Sequence, residues 1–243
     1  MTDPIEPPFQ LTRDTIMSGV MRVAAINGGM RILTDEELAA SRAAMLAGRA
    51  ADEPVWVFGY GSLIWNPAFH FVEQRPGRVI GRHRQFCLWT HLGRGSPEQP
   101  GLTLALEPGG SCTGMAFRIA ADVVATELEV VWRREMLSDA YAPRWVRVET
   151  AEGPVTAVAF TMNHRHPRYA GRLDDDTVAR VLASASGRLG RCADYLFRTI
   201  EALDALNLSD RRLHALAAKV RQLGCCEEGG IATVAPLAAG LKS

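Results

Sequence analysis

The pattern of apolar and polar positions is organised around one short stretch, VWVFGYGSLIW, at residues 55–65. An apolar run of β-branched and aromatic residues ends at the letters GYGS, residues 59–62, and resumes at Leu63. This pattern predicts a buried strand that runs into a tight loop, because glycine lets another molecule approach the bare backbone N–H groups. Such a loop can hold an anion or a carbonyl oxygen, although a plain strand and turn explains the same letters.

Further β-branched and aromatic segments predict five more strands, at residues 78–90, 102–106, 112–119, 145–149 and 155–162. The letters EPGGS and TAEGP divide the last four strands into two pairs and predict two hairpins. One helix lies between the two pairs. The sequence therefore predicts an α+β fold, with a small, mostly antiparallel β-barrel flanked by helices.

Helical patterns dominate both ends of the chain. The N-terminal extension, residues 1–52, begins with prolines and continues into helical segments, where Thr34 and Glu37 have the spacing of a capping box. Three C-terminal helices are predicted at residues 174–185, 192–206 and 211–223. We expect a helical extension at 1–52, one domain at 53–223 and a loosely packed tail at 224–243.

Composition restricts the partners. The 27 basic and 27 acidic residues cancel, so neither nucleic acid nor an anionic membrane is an expected partner. No apolar stretch reaches about 18 residues and the N-terminus lacks a signal-peptide pattern. The five cysteines, an odd number without a CxxC pair, favour reduced thiols. We expect a cytoplasmic protein, and the sequence leaves its oligomeric state open.

One segment is nevertheless basic. Between residues 74 and 97 there are five arginines and no acidic residue, namely Arg75, Arg78, Arg82, Arg84 and Arg94. These arginines form either the polar face of a strand or a local patch that attracts anions.

A carboxylate lies on the apolar face of the helix predicted at residues 122 to about 137. At about 100° per residue, Glu135 falls near the middle of a face formed by Val124, Leu128, Val131 and Trp132. Burial raises the pKa of a carboxyl group, and a raised pKa suits a general base. Two structural explanations stay open: an ion pair with Arg133 or Arg134, or a helix end from which the acid reaches water.

The letters VFGYGSLIWNP, WRREM, RHPRY, ASGRLG and DYLF occur in this order and resemble the ChaC family of glutathione-specific γ-glutamylcyclotransferases. The resemblance runs from residue 50 to about residue 206, and in the family's bacterial form it includes the N-terminal extension. It implies a small β-barrel flanked by helices. It also implies that glutathione is cyclised to 5-oxoproline and Cys-Gly without a cofactor, with Glu135 as the catalytic base.

The same resemblance implies that the loop after the first strand holds the γ-glutamyl group. The expected contacts are Val57, Phe58, Gly59, Tyr60, Gly61, Ser62 and Leu63. Tyr60, Tyr141 and Tyr195 resemble tyrosines of the family, although the segment before Tyr141 is longer than in its shorter eukaryotic members, and core tyrosines also serve packing. Charge alone suggests Arg84 or Arg82 for the glycine carboxylate of glutathione.

Two other functions stay open. One is a cyclotransferase for another γ-glutamyl amine or dipeptide, and the other is a non-catalytic regulator of cation transport, as the family's older name suggests. A buried acid argues against a purely binding role, because its desolvation would be a cost without a use. The histidines, among them His164 and His166, match no standard zinc spacing, so we expect surface histidines and no metal site.

Overall fold

The computed structural model describes residues 10–227 and has a closed β-barrel at its centre. The barrel strands are β1 (Val55–Gly59), β2 (Glu73–Thr90), β3 (Gly101–Ile119), β4 (Tyr141–Thr150) and β5 (Val155–Met162). Their order is β1-β3-β2-β4-β5, and β1 closes the barrel by pairing in parallel with β5. Apart from this pairing and a parallel β3–β5 contact, the pairs are antiparallel, which confirms the predicted mostly antiparallel barrel.

The hairpin predicted at EPGGS is wrong, since residues 101–119 form the single strand β3. Gly109 and Gly110 have φ angles of +92° and +66°, and Gly81 on the facing strand β2 has +80°. The β2–β3 register shifts at the same place. Glycines in the left-handed region therefore form a bulge that bends the two long strands instead of reversing the chain. The barrel has five strands, not six.

Helices surround the barrel, as predicted. Three helices precede the first barrel strand along the chain: α1 (Arg13–Met17), α2 (Val20–Asn27) and α3 (Asp35–Leu46). Between barrel strands, α4 (Ser62–Trp65) follows β1 and α5 (Val124–Glu135) connects β3 to β4. After it come α6 (Asp175–Ser184), a two-stranded pair β6 (Ser186–Gly187) and β7 (Gly190–Arg191), α7 (Cys192–Ala205) and α8 (Arg211–Glu227). The predicted capping box of α3 is present, and α8 continues past residue 223. Residues 228–243 of the predicted tail, and the first nine of the extension, lie outside the described residues.

Two apolar clusters lie on opposite faces of the curled sheet and set the positions of the helices. Neighbouring residues of β1 belong to different clusters, Val57 to one and Phe58 to the other, as the two-residue period of a strand requires. The first cluster includes residues of α6, α7 and α8, and the second includes residues of α5 and of the N-terminal helices. In the second, fully buried Trp132 packs against Phe160 with ring centroids 5.3 Å apart. The end of α5 is thereby fixed against the barrel.

Close packing of two backbones at the end of β1 gives a first prediction. A Cβ atom on Gly114 would lie 2.3 Å from the carbonyl oxygen of Gly59 and 2.8 Å from the ring of Phe58. Gly114→Ala is expected to lower the melting temperature by several degrees in calorimetry, because overpacking costs about 1–3 kcal/mol. Gly224→Ala on α8, where a Cβ atom meets nothing within 4 Å, should preserve or raise it. Equal melting temperatures for Gly114→Ala and the wild type would contradict the expectation.

Candidate active site

The loop that follows β1 is fixed by buried hydrogen bonds. The hydroxyl of Tyr60 donates to the carbonyl oxygen of Phe160, and Nη1 of Arg84 donates to the carbonyl oxygen of Tyr60 at 2.7 Å. Gly61 leaves no room for a side chain, because a Cβ atom there would lie 2.6 Å from the hydroxyl oxygen of Tyr195. The backbone of the loop is therefore held in one arrangement from both sides.

Arg134 connects this loop to the end of α5. Its side chain is only 4% exposed, and its Nε lies 3.1 Å from Oε1 of Glu135. Nη2 donates to Oγ of Ser62 at 3.0 Å, while Nη1 donates to the carbonyl oxygens of Asn66 and Pro67. All three nitrogens of one guanidinium are thus engaged. The spacing between the loop and the Glu135 carboxylate depends on this single side chain.

Glu135 is the last residue of α5, and its side chain is 15% exposed. Burial raises the pKa of its carboxyl group above the ordinary value, and the charge and hydrogen bond of Arg134 offset only part of this rise. The ion pair with Arg134, which the sequence left open as a structural explanation, and the raised pKa expected of a general base therefore occur together. A carboxyl group with a raised pKa can both accept and return a proton closer to neutral pH.

A second buried acid on α5, which the sequence pattern did not reveal, has the opposite electrostatic behaviour. The side chain of Glu127 is 4% exposed and accepts hydrogen bonds from both terminal nitrogens of Arg13 and from the backbone N–H of His70. Burial acts to raise the pKa of Glu127, but these hydrogen bonds outweigh it and the net shift is downward. Arg13 lies 114 residues away along the chain, so no local spacing signals the pair. Glu127 fastens the N-terminal helices, whereas Glu135 is left with the properties of a base.

Glu135 borders a cavity of about 530 Å³. Of the other predicted contacts, Ser62 and Tyr195 also line it, together with Trp65 and Asn66 from α4 and the residue after it. Another part of the wall comes from the N-terminal extension, through Gln10, Leu11, Thr12, Ile16, Met21, Arg22 and Met30. The extension therefore bounds the cavity directly.

The tyrosines near Glu135 are protonated donors. Burial, followed by the charge of Glu135, raises the pKa of Tyr195, while backbone groups of Leu104 and Ser62 oppose that rise. Burial also raises the pKa of Tyr141, whose hydroxyl donates to the carbonyl oxygen of Leu104 at 2.8 Å. Tyr195 borders the cavity and can donate a hydrogen bond to a bound oxygen.

Other predicted contacts lie in the core. The side chains of Val57, Phe58 and Leu63 are 0%, 0% and 5% exposed and pack in the two apolar clusters. Their packing fixes the backbone of the loop. None of the three is among the described residues that line the cavity.

Arg84 does not lie where the charge argument expects it. Its side chain is 4% exposed, and its guanidinium contacts the carbonyl oxygens of Tyr60 and Thr113 and, through Nε at 3.1 Å, the carboxylate of Asp210. Neither Arg84 nor Arg82 is among the described residues that line the cavity of Glu135. This placement does not support a contact with the glycine carboxylate; Arg84 holds the loop instead.

The arginines that make the cavity basic are mostly not those of the basic segment at residues 74–97. Its described lining contains one acid, Glu135, and six arginines: Arg22, Arg94, Arg133, Arg134, Arg168 and Arg198. Arg94 is the member of the predicted patch among them. The others come from segments far apart in the chain, so the sequence pattern could not bring them together.

The histidines form contacts of a structural kind. His164 is 45% exposed and pairs with Glu107 at 2.9 Å, as expected for a surface histidine. The side chain of His166 is only 9% exposed, so the prediction of a surface position is wrong there. Its Nδ1 accepts a hydrogen bond from the N–H of Arg168, which holds the turn in place. Residues 10–227 contain no group of three or more potential ligand side chains arranged for a metal ion.

The described helices include none with the length and apolar character needed to cross a membrane.

Comparisons with known proteins agree on one family. A family model described as ChaC-like protein matches residues 55–223. A protein named glutathione-specific gamma-glutamylcyclotransferase from Escherichia coli is 41% identical over 216 residues, covering 88% of this chain and 93% of that protein. Gamma-glutamylcyclotransferase 2-3 of Arabidopsis thaliana is 31% identical over 178 residues, covering 70% and 89%. The crystal structure of a yeast gamma-glutamyl cyclotransferase specific to glutathione has a TM-score of 0.64 at 20% identity, covers 71% of this chain and 100% of that one, and shares the fold.

The contact between Arg134 and Glu135 gives a prediction about titration. Arg134 lowers the pKa of Glu135, so Arg134→Met is expected to move the Glu135 titration to higher pH. Carbon NMR of the labelled carboxyl groups measures the shift, and the signal is assigned by its absence in Glu135→Gln. Arg133→Met is the matched control, since Arg133 pairs with Glu129 at 2.9 Å. An unchanged or lower pKa of Glu135 in Arg134→Met would show that the pair does not act as described.

Proposed function

Since the chain belongs to the ChaC-like protein family, we propose that it cyclises glutathione to 5-oxoproline and releases Cys-Gly, with Glu135 as the catalytic base. The observation that carries this proposal is a carboxyl group of raised pKa that borders a basic cavity beside a rigid loop. The Escherichia coli relative, whose name specifies glutathione, supports glutathione as the substrate.

Glutathione itself holds both reacting groups, so no nucleophile of the enzyme takes part. The carboxylate of Glu135 takes a proton from the α-ammonium group, and the amine nitrogen attacks the γ-carbonyl carbon to form the ring bond. Protonated Glu135 gives its proton to the cysteine nitrogen as the bond from that carbon to this nitrogen breaks. The new ring nitrogen still carries two protons, so Glu135, again a carboxylate, takes one of them and passes it to the released amine, which leaves as an ammonium group. No water is consumed and no electron is transferred. By holding the two groups in contact, the enzyme gains the advantage of an intramolecular reaction.

The loop after β1 and Tyr195 supply donors for the oxygen that gains charge. Helix α4 begins at Ser62, and the first N–H groups of a helix have no partner within it. We assign the N–H groups of residues 59–62 and the hydroxyl of Tyr195 to the γ-carbonyl oxygen and the γ-glutamyl carboxylate. In this assignment Val57, Phe58, Tyr60 and Leu63 act through the backbone position that their buried side chains fix, and Tyr141 acts through its contact with Leu104.

The charge of the cavity favours glutathione over simpler γ-glutamyl amines. Glutathione carries two carboxylates and one ammonium group at neutral pH, and six arginines face one acid in the described lining. A neutral amine as leaving group would gain nothing from the additional arginines. A cyclotransferase for another γ-glutamyl compound is therefore the second candidate.

A role in regulating cation transport is compatible with the fold, but it does not explain why an acid with a raised pKa borders the cavity. We also propose a cytoplasmic location, because Cys87, Cys112 and Cys192 are free, buried thiols of the kind that persists in a reducing compartment.

Glu135→Gln tests the assignment of the base. General acid–base catalysis contributes about 10²–10⁴-fold, so the release of 5-oxoproline from glutathione is expected to fall by that factor. The dissociation constant of glutathione, measured by calorimetry, should change little because the shape of the side chain is preserved. Glu129→Gln, on the same helix and paired with Arg133, is the matched control and should keep wild-type turnover. Full turnover by Glu135→Gln would refute the assignment, and a wild type inactive on every γ-glutamyl compound would favour the regulator.

The pH profile provides an independent test. The base must be ionised, so kcat/KM for glutathione is expected to fall as the pH drops through the raised pKa of Glu135. In Glu135→Asp the acidic limb should move to another pH, since a shorter side chain changes the contact with Arg134. A limb that stays in place when residue 135 is changed would assign it to another group.

A further inference from the structure

Arg94 is a buried cation without a carboxylate partner. It lies in the loop 91–100 between β2 and β3, is 7% exposed and borders the cavity of Glu135. Its Nη1 donates to the carbonyl oxygen of Arg191 at 3.2 Å, and no carboxylate oxygen of a described residue lies within 4.0 Å of its guanidinium. Removing a charged group from water is costly unless it is paired. Arg94 therefore has unused capacity to bind an anion.

The other arginines of the cavity differ in this respect. Arg134, Arg133 and Arg22 each have a carboxylate within 4.0 Å, from Glu135, Glu129 and Asp35 respectively. Within residues 10–227 no such partner exists for Arg168 and Arg198, but both are more exposed than Arg94. Among these three arginines without a carboxylate partner, Arg94 has the lowest residue exposure, whereas Arg168 is held by Ser138 and the carbonyl oxygen of Trp89.

The backbone around Arg94 is clamped by glycines. A Cβ atom on Gly95 would lie 2.1 Å from the backbone nitrogen of Gly101, and a Cβ atom on Gly187 would lie 2.5 Å from the carbonyl oxygen of Gly93. The β2–β3 loop packs against β6 so closely that neither position has room for a side chain. Arg94 is therefore anchored at its backbone before a ligand arrives, which reduces the entropy lost on binding.

A second cation reinforces the site. The pKa of Arg94 is lowered by burial and then by the charge of Arg198, while Asp194 acts in the opposite direction from beyond ion-pair distance. Arg198 projects from α7, and its guanidinium carbon lies 5.5 Å from the centre of the Trp65 ring. A bound carboxylate would relieve the repulsion between the two guanidinium groups and supply the missing partner of Arg94.

Position within the cavity identifies the carboxylate. Arg134 lies at the end of α5 against Ser62 and Glu135, whereas Arg94 lies in the β2–β3 loop against Arg191 at the start of α7, so the two arginines border the cavity from different elements. In glutathione the γ-glutamyl carboxylate shares a carbon with the reacting amine and must stay near Glu135. The glycine carboxylate lies two residues beyond the γ-carbonyl, about 7 Å away in an extended chain.

We propose that Arg94, assisted by Arg198 at the cavity edge, binds the glycine carboxylate of glutathione and so selects the leaving group. This inference rests on the proposed function and extends it to substrate specificity. It replaces the contact that charge alone suggested for Arg84.

The experiment compares Arg94→Met with the wild type on two substrates, glutathione and γ-glutamylcysteinylglycinamide, whose terminal carboxylate is a neutral amide. A hydrogen-bonded charge pair corresponds to a loss of about 10- to 100-fold, and kcat/KM of Arg94→Met for glutathione should fall by that factor. For the amide it should change by less than about threefold, because the contact is already missing. The wild type should itself prefer glutathione over the amide by a similar factor.

Two outcomes would overturn the proposal. Equal losses on both substrates would mean that Arg94 supports the loop or the γ-glutamyl group, and an unchanged kcat/KM for glutathione would mean that it binds nothing. Arg188→Met is the matched control, since Arg188 is exposed on the β6–β7 turn and should behave as wild type on both substrates. Arg94→Lys, which keeps the charge without the planar fork, should lose less than Arg94→Met.

Failure of the proposed function gives a different result. In that case the wild type would release no 5-oxoproline from either compound. Calorimetric binding still tests Arg94 then, because Arg94→Met should weaken the binding of glutathione about 10- to 100-fold and leave that of the amide unchanged. Equal affinities of the wild type for glutathione and the amide would overturn the inference in either case.

Discussion

The contact of Arg134 with Glu135 is the interaction on which the geometry of the site depends. The guanidinium is almost fully buried, and it uses Nε for the carboxylate and its terminal nitrogens for Ser62 and the two carbonyl oxygens that follow α4. Breaking a buried pair leaves an uncompensated charge, so the loop and the acid cannot easily move apart. The same contact limits how far burial raises the pKa of Glu135. One side chain thus sets both the position and the basicity of the acid.

Helix α5 carries this arrangement because it separates two electrostatic tasks. Glu127 is satisfied by the Arg13 guanidinium and a backbone N–H, so it stays ionised and holds the N-terminal helices. Glu135 has fewer donors and keeps the higher proton affinity. When the surroundings of two carboxyl groups give them different pKa values, the two groups can serve different roles. The N-terminal segment held by Glu127 in turn forms part of the wall around Glu135.

Much of the fold followed from local patterns, and the errors have physical causes. The helical spacing that placed Glu135 with Leu128 and Trp132 was right, because the period of a helix depends on few residues. The letters EPGGS misled, since glycines with positive φ can either reverse a chain or bulge a strand, and only the facing strand decides between the two. Arg84 and Glu127 could not be interpreted from the sequence, because their partners Asp210 and Arg13 lie far away along the chain. Charge in a sequence indicates where an arginine is, but not whether it is already neutralised.

The glycines around Arg94 have a consequence for how this site can vary. At positions 95, 101 and 187 even a methyl group would collide with backbone atoms, so only glycine fits there. None of the three contributes a functional group to the cavity. The three glycines nevertheless determine the backbone position of Arg94. A related protein that kept the arginine but replaced one of these glycines would lose that position. The record of a binding site in a sequence therefore includes residues whose contribution is the absence of a side chain.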